Sequence, residues 1–167
     1  YALYSNTTAN DNNAFGYNAL GLNTTGANNV AMGRNALLNN TTASSNTAVG
    51  KDSLKANTTG AENTAVGALA LDANTTGACN VAVGFCSLKA NTTGYDNTAI
   101  GRTSLAGNTT GFNNTGLGRF TLGGNTTGAG NTAVGRSSMA SNNADNNTAV
   151  GYNSLCSNTT GVSNVAL

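Results

Sequence analysis

Residues 57–73 read Asn57-Thr58-Thr59-Gly60-Ala61-Glu62-Asn63-Thr64-Ala65-Val66-Gly67-Ala68-Leu69-Ala70-Leu71-Asp72-Ala73. This unit, N-T-T-G-x-x-N-T-A-V-G-x-x-[AS]-L-x-x, recurs about ten times along the 167-residue chain. A fixed period of this length belongs to architectures in which one small unit stacks on the next, so every position in the unit becomes a column running through the stack. The glycine column includes Gly50, Gly67, Gly84 and Gly101 and has no exception from Gly16 to Gly151. A position that never accepts a side chain needs positive φ or a close backbone approach, which predicts a corner.

Four residues further on, Leu54, Leu71, Leu88 and Leu105 belong to a column in which only Met139 replaces leucine, the mark of a buried slot. The position before each glycine, Val49, Val66, Val83 and Ile100 among others, varies in size but stays apolar, and it is expected to form the second core rank. Asn63-Thr64-Ala65-Val66-Gly67 alternates as a short strand does, with Thr64 and Val66 on one face and Ala65 on the other. A second short strand is expected around Ala36-Leu37 and Ser53-Leu54. The fold predicted is therefore all-β: a β-solenoid, or β-roll, of about ten 17-residue coils with two short strands per coil. It occupies residues 1–167 as a single array.

The N-T-T-G-x-x-N segment is rich in residues that turn the chain. It supplies two asparagine columns, one through Asn57, Asn74, Asn91 and on to Ser141, the other through Asn63, Asn80 and Asn97. Identical asparagines stacked at about 4.8 Å can pass amide hydrogen bonds from coil to coil, and ten coils would span roughly 48 Å. One coil has too little apolar surface to offset the entropy of ordering it, so stability must come from neighbours. The step from Gly135 to Gly151 is 16 residues, which predicts a one-residue deletion in the turn at Ser141-Asn142-Asn143-Ala144. Tyr1-Ala2-Leu3 and Asn164-Val165-Ala166-Leu167 each match part of a unit, so the array is expected to be cut from a longer fibre.

Composition narrows the function. Charged residues make up 8%, histidine, proline and tryptophan are absent, and the formal net charge is +1. That charge gives no field for nucleic acid, and no segment is apolar enough to insert in a membrane. Neither partner is expected. The six carboxylates form no pair or column, and no cysteine has a base beside it, so neither an enzyme nor any cofactor or metal site is expected. Cys79, Cys86 and Cys156 have no cysteine one period away, which excludes a disulfide ladder and leaves small buried or half-buried thiols.

Asn97-Thr98-Ala99-Ile100-Gly101, followed by Ser104-Leu105 and Asn108-Thr109-Thr110-Gly111, resembles the repeats of phage tail-fibre and bacterial surface-fibre proteins, over nearly the whole chain. The N-T-A-V-G core is also similar to the head repeats of trimeric autotransporter adhesins. This resemblance implies a left-handed β-roll, self-association as a homotrimer or with filament neighbours, and attachment or scaffolding at a cell surface or virion. The function expected is an extracellular fibre or filament shaft acting as a stiff spacer.

The alternative is a binding module whose repeat face recognises glycan or ice. The residues after the corner glycines, Tyr17, Arg34, Lys51, Phe85, Arg102, Arg119, Arg136 and Tyr152, put aromatic and basic side chains on one line, the candidate ligand face for a cell-surface glycan. An ordinary solvated edge would read the same way. The threonine ranks raise the ice-binding reading, although Val30 and Val81 interrupt one of them. The N-T-T triplets at Asn57, Asn74 and Asn91 are also acceptor sequons for N-glycosylation, beside their plainer reading as turn chemistry.

Overall fold

The computed structural model describes all 167 residues. Ten short strands follow one another in chain order: β1 (Asn13–Phe15), β2 (Val30–Met32), β3 (Thr47–Val49), β4 (Thr64–Val66), β5 (Val81–Val83), β6 (Thr98–Ile100), β7 (Thr115–Leu117), β8 (Thr132–Val134), β9 (Thr148–Val150) and β10 (Val165–Ala166). They form one parallel sheet in that order, each inner strand paired with the coil before and the coil after. The register is level for level, as in Thr64↔Val81, Ala65↔Ala82 and Val66↔Val83. The chain is thus a β-solenoid of about nine turns, and nine steps of about 4.8 Å give a rod of roughly 43 Å.

Each coil contains one strand, not the two expected. The segment around the leucine column is a run of turns. In the coil starting at Gly67, Ala70 N–H donates to Gly67 O (3.3 Å) and Asn74 N–H to Leu71 O (3.1 Å). Between these local bonds, Leu69 N–H reaches Lys51 O in the previous coil (3.0 Å), and Leu71 N–H reaches Ser87 O in the next (3.0 Å). Leu69 and Leu71 take φ of 60° and 51°, so left-handed residues alternate along the run. Only 18 of the 106 backbone hydrogen bonds lie within the strands, so the turns carry most of the cohesion between coils.

The corner glycines are as predicted and for both reasons. Gly50, Gly67, Gly84 and Gly101 have φ between 132° and 135°, and a Cβ on Gly67 would lie 2.5 Å from Gly84 O. Their closeness lets consecutive corners nest on one another.

The core differs from the sequence expectation at one rank. Leu54, Leu71, Leu88 and Leu105 are fully buried as expected, but Val49, Val66, Val83 and Ile100 point outward and are half-buried or exposed. The residue that fills the interior from the strand is alanine: Ala48, Ala65, Ala82 and Ala99 have no exposure. The asparagine ladder sets this phase. Asn63 is buried inside the coil, and side chains alternate along a strand, so Thr64 faces out, Ala65 in and Val66 out. Alanine is also what the narrow lumen admits, because leucine from the opposite wall and two asparagine ladders already occupy it.

Candidate functional site

Two amide ladders run up the inside of the rod. In the first, Asn74 Nδ2 donates to Asn57 Oδ1 (2.9 Å) and to Gly77 O (2.9 Å), and Asn91 Nδ2 continues to Asn74 Oδ1 (2.8 Å). In the second, Asn80 donates to Asn63 Oδ1 from its backbone N–H (3.0 Å) and from Nδ2 (3.1 Å). The ladders meet at the turn, because Gly77 O also accepts from Asn63 Nδ2 (2.9 Å). Asn57, Asn74 and Asn91 are therefore wholly buried, each with its amide nitrogen committed to two acceptors. The glycosylation reading fails for the folded rod: a glycan on any of these nitrogens would have to displace the ladder.

The deletion lies where the sequence places it, but its register is different. Asn142, not Ser141, takes the ladder position, donating from Nδ2 to Ala144 O (2.8 Å) and accepting from Asn158 Nδ2 (2.6 Å). The residue missing is one threonine of N-T-T-G. Asn143 compensates with its side chain, whose Oδ1 accepts from Thr126 N–H and Thr127 N–H (2.9 Å each), a task performed elsewhere by a backbone carbonyl such as Thr75 O. The repair is incomplete, since buried Asn125 Oδ1 is left without a partner.

Several lines of side chains face solvent. The first threonine of each N-T-T turn spends its hydroxyl on the next coil, as Thr58 Oγ1 does on Thr75 O (3.0 Å), and the second, such as Thr59, is exposed. The outward strand face presents a half-buried rank at Thr47, Thr64, Thr98, Thr115 and Thr132, beside an apolar rank that runs from Phe15 through Met32, Val66 and Ile100 to Val150. No outward strand residue is charged.

Past the corner lies the line named from the sequence. Tyr17, Arg34, Lys51, Phe85, Arg102, Arg119, Arg136 and Tyr152 are all exposed. The parallel register brings Arg102, Arg119 and Arg136 to successive levels of one column, and the Arg136 guanidinium lies 5.4 Å from the Tyr152 ring centre. Lys51 pairs with Asp52 at 3.7 Å, the one ion pair in the chain. Tyr95 and Phe112, which sequence reading passed over, stack at 5.0 Å on the x-x pair after N-T-T-G.

Of the cysteines, Cys86 is buried and Cys156 half-buried, but Cys79 is exposed, contrary to expectation. Its sulfur donates to Glu62 Oε2 (3.5 Å). Local desolvation, that hydrogen bond and the negative charges of Glu62 and Asp96 raise the thiol above its ordinary value. The one concavity, about 510 Å³, is lined by Asn13, Ala14, Phe15, Val30 and Met32, a set with no acid, base or nucleophile. No three His, Cys, Asp or Glu side chains come together, and no helix is long and apolar enough to cross a membrane. No protein-family model, curated protein or solved structure matches the chain.

Proposed function

We propose that this chain is a segment of a stiff extracellular fibre or filament shaft, a spacer whose copies lie side by side through the outward strand face. The observation that carries the reading is the repetition of the same bonding from level to level, interrupted only at the deletion. Strand, turn run and N-T-T-G turn each bond to the coils above and below, and two amide ladders run inside them. Residues committed this way extend a rod and leave few positions free to assemble a unique catalytic site. The extracellular setting follows from the fibre reading and from the likeness of the repeats to surface-fibre sequences.

The lateral contact rests on the outward face. Its two ranks stand about 7 Å apart over roughly 43 Å of rod, a patch of about 300 Å², comparable with the largest patch on an ordinary monomer, which is often functional. A partner that meets it rank for rank along that length must share its axial period, as a second copy does. Two such faces would remove roughly 600 Å² from water in total, the scale of a weak association between single segments that grows with the length of the rod.

Electron microscopy of the chain beside a tandem duplicate tests the shaft. Rods of one width whose length grows by about 4.8 Å per added coil are expected. Compact particles, or a width that changes with length, would refute it.

One observation favours a second reading, ice binding: the outward threonine hydroxyls share a regular face with the apolar rank. Ice recrystallisation assays on Thr64→Val and Thr98→Val decide it. Loss of inhibition supports ice as the ligand, and no inhibition by the parent chain removes the reading.

A further inference from the structure

Charge is distributed unevenly along the rod. Residues 97–144 contain Arg102, Arg119 and Arg136 and no aspartate or glutamate, so this stretch carries +3 within a chain whose net charge is +1. The remainder is net negative. No carboxylate lies within ion-pair distance of the three guanidiniums, since the single ion pair is Lys51 with Asp52. Their backbone positions are held by the stack: Phe120 N–H donates to Arg102 O (3.1 Å), Ser137 N–H to Arg119 O (3.0 Å) and Asn153 N–H to Arg136 O (3.1 Å). Three like charges thus project from backbone positions about 4.8 Å apart, with no ion pair in the chain to neutralise them.

The same column continues into exposed aromatic rings at both ends, Phe85 below and Tyr152 above. The line Phe85, Arg102, Arg119, Arg136, Tyr152 spans four steps, about 19 Å. Guanidiniums recognise carboxylate and sulfate groups through paired N–H donors, and aromatic faces stack on sugar rings.

We propose that these five residues form a linear binding site for an acidic polysaccharide lying along the rod. The sugars of an extended acidic chain such as polygalacturonate advance by nearly one coil apiece, so the acidic groups on the side facing the rod meet the arginine line and sugar rings at either end rest on Phe85 and Tyr152. Duplex nucleic acid fits less well, because its phosphates advance about 3.4 Å per strand and fall out of step with the coils. The site lies past the corner glycines, off the outward strand face, and so does not depend on the lateral association proposed above.

The test measures binding of the full chain to polygalacturonate, dextran sulfate, neutral dextran and duplex DNA at ~0.15 M salt. Binding to at least one acidic polysaccharide and none to neutral dextran is expected. R102S/R119S/R136S should weaken it by about tenfold or more. A second variant adds T25R, T59R and T93R to those three changes, restoring the net charge on exposed turns two coils apart. It should remain as weak as the first, with both checked for folding by circular dichroism. F85A/Y152A should weaken binding while leaving the charge unchanged. V66S/V83S/I100S, on the other face, should bind as the parent does. The site is overturned if neither acidic polysaccharide binds, if the relocated arginines bind as well as the parent, or if duplex DNA binds more tightly than both polysaccharides.

Discussion

Leu71 takes a left-handed backbone, φ 51°, yet is fully buried. That conformation costs a non-glycine residue roughly 1–2 kcal/mol, and burial of a leucine side chain offsets it with about 1.5–3 kcal/mol. Its burial was legible in a column that admits only leucine and methionine. Its backbone was not, because leucine carries no signal for positive φ. Gly67 was legible in both respects, and Gly67→Ala should cost about 3 kcal/mol or more, since φ is 134° and the new Cβ would meet Gly84 O. Chemical denaturation measures this. Asn74 gives a sharper contrast. Asn74→Ala removes two donated bonds and should cost about 2–3 kcal/mol. Asn74→Asp places a carboxylate against Asn57 Oδ1 and Gly77 O, both acceptors, and should cost more at pH 7. Burial raises the folded-state pKa of that new acid, so the variant's stability is present at low pH and is lost as pH rises through the raised value. The gap between the two variants should therefore narrow as pH falls through the raised value and be smallest below about pH 4, the ordinary aspartate value.

Along the strand, the alternation of Asn63-Thr64-Ala65-Val66 was legible and its phase was misread. Apolarity suggested that Val66 faces the core, but the stronger constraint lies next door. The column holding Ala65 admits only alanine and glycine, whereas the column holding Val66 also admits Phe15, Met32 and Leu117. A size limit marks the inside of a narrow coil better than apolarity does. Ala65→Val should therefore destabilise by about 1–3 kcal/mol through overpacking, while Val66→Ala should change stability by less than about 1 kcal/mol. The opposite order in thermal or denaturant unfolding would restore the valine core. Gly116 is the exception that supports the size limit. Thr121 replaces the usual alanine or serine across the lumen, and a Cβ on Gly116 would lie 2.9 Å from Thr121 Oγ1 and 2.6 Å from Ser104 Oγ. Gly116→Ala should be tolerated better with Thr121→Ser than alone, a coupling that a double-mutant cycle reads directly. The second strand expected around Leu54 is absent because that segment is a turn run built from left-handed residues of several kinds, Leu69, Cys86, Thr103 and Phe120 among them, which composition does not reveal.

Across the whole rod, the weakest level is the deletion between Asn142 and Ala144, where Asn125 Oδ1 is unpaired. Restoring N-T-T-G there should stabilise the array by about 1–3 kcal/mol, the cost of a buried polar group left unsatisfied. A fall in melting temperature instead would show that Asn143 already repairs the level. The sequence period made the stack and its single irregularity readable, but it could not reveal the uncharged, partly apolar face that the inverted strand turns to solvent. That face is where the shaft reading is most exposed to test. Native mass spectrometry, with small-angle scattering at the same tens of micromolar concentration, should find the parent chain associated, with one protomer's length and a larger cross-section. V66S/V83S/I100S should give single rods of that length. A parent chain that stays monomeric, or a triple variant with the parent's mass, would contradict lateral association through this face.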